Sequence, residues 1–127
     1  MSVQHRRPVF LNLSQIRLPL PGIASIMHRI SGVAMVLAIP FLALLLHYSL
    51  AGEDTFSSLL MLFHTSLAVK AALFLAFWAL LYHLFAGVRF LLIDVEIGVN
   101  KRAARLSSIV VIAMAPLSAL VLTGAVL

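Results

Sequence analysis

The sequence of 127 residues contains no cysteine and very few charged side chains. A chain without cysteine can form no disulfide, no thiolate metal site and no covalently attached c-type haem. Charged residues make up 10% of the chain and hydrophobic residues 63%, which leaves too little polar surface to cover a soluble globule. The mean hydropathy of +1.13 leads to the same conclusion. Lipid must therefore cover most of this protein.

Several motifs of soluble enzymes are missing as well. The chain has no GxGxxG, no P-loop, no CxxC and no serine–histidine–acid arrangement, so we expect it to perform no hydride or phosphoryl chemistry of its own. Its start shows neither an apolar stretch nor a small-residue cleavage site, so no removable secretion signal is expected. The net charge of +5 comes from basic residues at the ends of apolar runs. This pattern is typical of the positive-inside bias, and nucleic-acid binding is not expected.

The apolar runs predict an all-α membrane protein with three transmembrane helices. A polar arm over residues 1–21 precedes a helical anchor over 22–127, and the helices are predicted at about 22–50, 57–93 and 103–126. The second run is about twice as long as a membrane core of ~30 Å. Lys70 and Arg89 are separated by a rise of roughly 28 Å, which matches one crossing. We therefore expect residues 57–67 to continue into the outer interfacial layer.

One arginine marks the same end of each predicted helix: Arg29, Arg89 and Arg105. All of the nine Lys and Arg residues except Lys70 lie at or beyond that boundary. The positive-inside rule then places the N-terminus in the cytoplasm and the C-terminus in the periplasm. The short basic arm favours a bacterial inner membrane over a mitochondrial one.

The most informative polar residue in the apolar runs is His83. An imidazole within a lipid-spanning segment is costly unless something binds it, so such a residue marks a candidate functional site. One interpretation is an axial ligand of haem iron, with Gly87 leaving room on the same helix face for a flat macrocycle. The other is an interhelical hydrogen bond beside a packing contact. If Arg29 marks the boundary, His28 lies too shallow to share an iron with His83, so a second ligand is expected from another polypeptide.

A second group of polar residues lies in SIMHRISG, residues 25–32. Helical spacing puts Ser25, His28 and Arg29 on one side of the helix, near the membrane boundary. This hydroxyl, imidazole and guanidinium could bind a quinone carbonyl or pair with haem propionates. They could equally anchor the helix at the interface, with Arg29 reaching lipid phosphate and Ser25 capping the helix start.

Three segments together resemble a known family: RPVFLNL at 7–13, SIMHRISG at 25–32 and YHLFAGVRFLLID at 82–94. Their order and spacing are similar to those of the cytochrome b556 membrane-anchor subunits of succinate dehydrogenase, respiratory complex II. The most specific match is S-I-x-H-R-x-S/T-G. Phe90 is a departure, because the family often has histidine at that position, and no propionate contact is expected from it.

The resemblance implies specific roles. His83 is expected to be one axial ligand of haem b, with the other supplied by a second anchor subunit. Ser25 and Arg29 are expected to line the ubiquinone site, and His28 and Arg29 to lie beside the haem propionates. The expected partners are that second anchor subunit, an iron–sulfur subunit, a flavoprotein subunit and membrane lipid, together forming a hetero-oligomeric helical bundle.

The implied function is that of a cytochrome b anchor in a succinate:quinone oxidoreductase. The flavoprotein oxidises succinate, and the iron–sulfur subunit passes electrons to quinone at the membrane boundary. Two alternatives stay open: a fumarate reductase anchor that works in the reverse direction, and a non-redox three-helix protein that only anchors or assembles other subunits.

Overall fold

The computed structural model describes residues 17–127, and every regular element within this range is an α-helix. The four helices are α1 (Leu20–Leu50), α2 (Glu53–Thr65), α3 (Leu67–Asp94) and α4 (Lys101–Val126). Three of them, α1, α3 and α4, are long and apolar enough to cross a membrane. The prediction of an all-α membrane protein with three spans is therefore confirmed. Most of the predicted N-terminal arm, including the segment 7–13, lies outside the described residues.

The second apolar run is divided at Ser66, which corrects the prediction of one helix over about 57–93. Ser66 has extended backbone angles (φ −89°, ψ 116°), so it ends α2 and begins α3. Its hydroxyl accepts a hydrogen bond from the backbone N–H of Val69 at 3.4 Å, as an N-cap residue does. The short helix α2 buries no side chain completely. At 1.5 Å per residue, α3 is about 42 Å long, enough for one tilted crossing.

Small side chains hold the three long helices together. The fully or almost fully buried apolar residues are mainly alanines, at Ala24, Ala79, Ala86, Ala115 and Ala119. Small residues let helix backbones approach closely in lipid, where no hydrophobic effect drives helices together. The larger apolar side chains point outward, as lipid contact requires. Helix α3 lies between α1 and α4 and packs against both.

Two polar side chains of α3 connect it to its neighbours. The Tyr82 hydroxyl donates to the carbonyl of Ala24 in α1 at 3.3 Å, and Tyr82 is only 1% exposed. Tyr82 is therefore a packing residue between α3 and α1. On the other side, Arg89 Nε donates to Ser107 Oγ at 3.0 Å and Nη2 donates to the Ala104 carbonyl at 3.3 Å. Arg89 is 6% exposed, so its guanidinium packs against α4, and its depth in the membrane stays a prediction.

The link between α3 and α4 is a tight turn that sets the start of α4. Gly98 has φ +78°, a conformation that glycine adopts without a steric penalty. Asn100 then caps α4, and its side-chain oxygen accepts from the backbone N–H of Ala103 at 2.8 Å. This short turn puts the end of α3 and the start of α4 on the same side of the bundle. The start of α1 lies on that side too, because α1 runs antiparallel to α3.

Candidate functional site

The histidines of α1 and α3 meet where these two antiparallel helices cross. The rings of His28 and His83 are stacked, with centroids 4.1 Å apart and planes inclined by 24°, and both side chains are half-buried. The premise that His28 lies at a shallower depth than His83 is therefore wrong. It assumed that Arg29 and Arg89 lie at one depth. Because His28 stacks on His83, the neighbouring Arg29 lies near the level of His83, whereas Arg89 lies six residues further along α3, a helical rise of about 9 Å.

The expectation that His28 does not share an iron with His83 nevertheless has a geometric basis. The two rings face each other across their flat sides. Axial ligands of one haem iron instead point a nitrogen each at a common centre from opposite sides of the macrocycle. The stacked arrangement of His28 and His83 does not suit the two rings for binding one iron between them.

The histidines belong to two copies of the same spacing, His-x-x-x-Gly, in HRISG (28–32) and HLFAG (83–87). Because the helices run antiparallel, each glycine lies against the histidine of the other helix. A Cβ on Gly32 would lie 3.1 Å from Cε1 and 3.3 Å from Nδ1 of His83, and a Cβ on Gly87 would lie 3.7 Å from Nε2 of His28. The space above Gly87, which the sequence suggested for a macrocycle, is thus occupied by His28.

This reciprocal pair was missed by the sequence analysis. The signal that could have found it is the repeated spacing on two helices predicted to run in opposite directions, since residues i and i+4 share one helix face.

Hydrogen bonds fix the protonation of the His83 ring. Its Nδ1 lies 3.2 Å from the backbone carbonyl of His28 and 3.3 Å from Ser31 Oγ. Ser31 Oγ itself donates to that carbonyl at 2.8 Å. A carbonyl only accepts, and the hydroxyl has already used its proton, so Nδ1 must carry the hydrogen. The lone pair then lies on Nε2, which has no hydrogen-bond partner among residues 17–127.

This tautomer suits a metal ligand. A coordinating histidine usually donates its other ring N–H to a carbonyl or carboxylate, which orients the ring and strengthens it as a donor. The part of the chain that the structure describes contains no group of three or more His, Cys, Asp or Glu able to hold a metal ion. A neutral imidazole with its lone pair on Nε2 is the kind of donor that a haem iron takes from a protein.

The second ring nitrogen of interest, His28 Nε2, is buried and has no partner among the described residues. Buried polar atoms in proteins are nearly always hydrogen-bonded, so such an atom marks a place where a further group is expected. Phe90 lies beside it, with ring centroids 5.3 Å apart, and also under the guanidinium of Arg89 at 5.3 Å. Phe90 thus supplies an apolar wall and no hydrogen bond.

Ser25 and Arg29 lie on the part of α1 next to the histidine crossing. Ala24 and Ser31 are fully buried and mark the face of α1 that packs on α3. Ser25 and Arg29 each follow the packed positions 24 and 28 by one residue, which is about 100° around the helix. Ser25 is half-buried and Arg29 is exposed. The hydroxyl and the guanidinium can therefore reach a molecule outside this chain, but they do not join the histidine pair.

Comparison with known proteins adds an independent observation. Residues 3–122 match the model of the succinate dehydrogenase/fumarate reductase transmembrane subunit family. The chain is 35% identical over 119 residues to a succinate dehydrogenase cytochrome b556 subunit from Coxiella burnetii, covering 94% of each protein. A subunit of the same name from Paracoccus denitrificans is 36% identical over 84% of this chain and 82% of its own length. One from Rickettsia bellii is 30% identical over 83% of this chain and 81% of its own length.

Proposed function

The chain belongs to the succinate dehydrogenase/fumarate reductase transmembrane subunit family, and on that premise we propose that it is the cytochrome b membrane anchor of a succinate:quinone oxidoreductase. Its partners are a second anchor subunit, an iron–sulfur subunit and a flavoprotein subunit. In this complex the chain supplies part of the lipid anchor, one haem ligand and part of the ubiquinone pocket. The names of the relatives, all cytochrome b556 subunits, support the assignment of haem b.

His83 is the residue that we assign as an axial ligand of haem b, through Nε2. The observation that carries this proposal is the pair of acceptors at Nδ1, the His28 carbonyl and Ser31 Oγ. They leave the lone pair on the nitrogen that would face the iron. When bound, haem b supplies a one-electron redox centre at the membrane boundary. The second axial histidine comes from the partner anchor subunit.

The test is to purify the complex carrying His83→Leu and record its spectrum in the oxidised and dithionite-reduced states. We expect the low-spin b-type absorption to be lost, because leucine offers no nitrogen to the iron. The matched control is His47→Leu, which removes an exposed histidine from α1 and should leave the absorption unchanged. A normal b-type spectrum in His83→Leu contradicts the assignment, and a colourless wild-type complex favours a non-redox anchor.

His28 and Arg29 are assigned to the propionate side of the haem. The Nε2 of His28 is buried against Gly87 and lacks a partner among residues 17–127, so a propionate oxygen would become its partner only after a movement of the ring. Arg29, one residue further on, carries a permanent positive charge that complements a carboxylate.

Ser25 and Arg29 are assigned to the ubiquinone site. Ser25 can donate its hydroxyl proton to one quinone carbonyl. Arg29 provides positive charge where negative charge develops as the quinone is reduced, and such a preorganised charge stabilises that state by a few kcal/mol in a site that excludes water. Both side chains are accessible from outside the chain, which this role requires.

A fumarate reductase anchor is the second candidate, because the description of the matched family includes fumarate reductases. The relatives named above are all succinate dehydrogenase subunits, which favours the succinate-oxidising direction. Measuring which direction the purified complex prefers, with ubiquinone and with a low-potential quinone, separates the two.

A further inference from the structure

Ser31 is a buried polar residue that none of the roles above uses. It is 0% exposed and lies on α1, three residues after His28. Its hydroxyl donates to the His28 carbonyl at 2.8 Å and lies 3.3 Å from Nδ1 of His83 on α3. A serine hydroxyl in a helix commonly bonds a carbonyl of its own helix and makes no further contact. The second contact of Ser31, to a ring on another helix, is therefore informative.

The arrangement makes the hydroxyl an acceptor for His83. Because its only proton is directed at the His28 carbonyl, its lone pairs are available to the Nδ1–H. The His83 ring thus donates to two acceptors. One is the backbone carbonyl of His28, and the other is the Ser31 hydroxyl, which is itself hydrogen-bonded to that carbonyl. Two acceptors on one N–H restrict rotation of the imidazole about its Cβ–Cγ bond more than one acceptor does.

We propose that Ser31 is a positioning residue for His83, which sets the orientation of the imidazole and its strength as an iron donor. This inference rests on the proposed haem ligation by His83. An N–H that donates to good acceptors makes the imidazole more electron-rich and the ligand more basic, which favours the oxidised iron. Removing the hydroxyl therefore raises the midpoint potential of the haem, and it broadens the range of ring orientations.

The chain offers a close control in Ser108 on α4. Ser108 is also 0% exposed, and its hydroxyl donates to the Ala104 carbonyl of its own helix at 2.7 Å. It has no contact with a histidine among the described hydrogen bonds. Ser108→Ala thus reports what the loss of a buried intrahelical serine bond does to the anchor, and Ser31→Ala reports that loss together with the loss of the acceptor at Nδ1.

The experiment uses the whole complex with Ser31→Ala, Ser31→Cys, Ser31→Thr or Ser108→Ala. Haem content per flavin, the midpoint potential by redox titration, and the low-spin electron paramagnetic resonance signal are measured for each. We expect Ser31→Ala and Ser31→Cys to shift the potential upward and to broaden the low-spin signal, since a thiol is a weak acceptor of similar size. Ser31→Thr keeps the hydroxyl and should restore values close to wild type, and Ser108→Ala should match wild type.

An unchanged or lowered potential in both Ser31→Ala and Ser31→Cys overturns the inference, as does an equal shift in Ser108→Ala. If Ser31→Ala fails to assemble, the comparison of Ser31→Cys with Ser31→Thr decides the same question. His83→Leu, measured in parallel, keeps the two proposals apart. If His83→Leu abolishes the b-type spectrum while the Ser31 variants match wild type, only the proposal for Ser31 is refuted. If His83→Leu retains the spectrum, the proposal that His83 binds the haem is refuted.

Discussion

At the scale of single residues, the two glycines of the histidine crossing differ in how closely they approach the opposite ring. A Cβ on Gly32 would lie 3.1 Å from Cε1 of His83, tighter than nine in ten real contacts, whereas a Cβ on Gly87 would lie at an ordinary 3.7 Å from Nε2 of His28. The His83 ring thus lies directly against the α1 backbone, and a side chain at position 32 would force the ring to shift. The same distances explain why His83 can reach the carbonyl of His28.

This difference predicts unequal effects of two identical substitutions. Gly32→Ala should displace the His83 ring by a few tenths of an ångström and reduce the haem bound per complex, because the ring cannot move without losing its acceptors on α1. Gly87→Ala should have a smaller effect, and Gly124→Ala, where nothing lies within 4 Å, should have none. Haem content per flavin measures all three. Equal haem loss in Gly32→Ala and Gly124→Ala would contradict the packing argument.

The second prediction at this scale concerns Arg29. If its charge stabilises the reducing quinone, Arg29→Ala should lower succinate–quinone reductase activity by about 10- to 100-fold, which corresponds to about 1.4–2.7 kcal/mol. Succinate–dye activity, which needs only the water-soluble subunits, should not change. Arg105→Ala removes an exposed arginine from the start of α4 and serves as the control. Normal quinone kinetics in Arg29→Ala would refute the role.

At the scale of the helices, α3 is the element that joins the bundle, through a buried hydroxyl toward α1 and a buried guanidinium toward α4. Arg89 donates to Ser107 Oγ and to the Ala104 carbonyl, while its Nη1 is buried without a partner among the described residues. A buried charged donor without an acceptor is costly. The position of Arg89 therefore depends on the acceptors that α4 provides.

We accordingly expect the effect of Ser107→Ala to depend on Arg89. In the wild-type background this substitution leaves Nε without its acceptor and should lower the stability of the anchor by about 1–3 kcal/mol. In an Arg89→Met background no donor is left unpaired, so the same substitution should have little effect. Thermal unfolding of the four proteins in detergent completes the double-mutant cycle. Equal losses in both backgrounds would show that the two side chains act independently.

At the scale of the whole molecule, the three spans put the start of α1, the end of α3 and the start of α4 on one side of the membrane. Three exposed basic residues begin α4: Lys101, Arg102 and Arg105. The short helix α2 lies between α1 and α3 and therefore on the opposite side. The positive-inside rule predicts that the basic side is cytoplasmic, with the N-terminus inside, the C-terminus in the periplasm and α2 at the outer surface.

The absence of cysteine makes this orientation simple to test. Ser57→Cys introduces one exposed thiol on α2, and Val99→Cys introduces one in the exposed link before α4. A membrane-impermeant maleimide should label Ser57→Cys in intact spheroplasts and Val99→Cys only in inverted vesicles. Labelling of both after denaturation in detergent controls for thiol reactivity. The reverse pattern would invert the proposed topology.

The apolar runs and the placement of charge were enough to predict the class of protein and its three spans, and they singled out His83 as the candidate site residue. Each span meets lipid on its own, so its length and its flanking charges are properties of a local segment. The motif around His28 could be recognised for a similar reason, since residues i to i+4 share a helix face in any helix. The break at Ser66 was not predicted, because an apolar pattern alone does not reveal where a hydroxyl caps a new helix.

The contacts between helices could be learned only from the packed fold. The bonds from His83 to Ser31 and to the His28 carbonyl join residues 52 and 55 positions apart, and they depend on the register and rotation of α1 against α3. A local pattern contains neither quantity, which is why the sequence put His28 at the wrong depth and did not predict the contacts of Arg89 with α4. Contact with lipid determines which segments span the membrane. The close approach of neighbouring helices at small residues determines which polar groups come into contact.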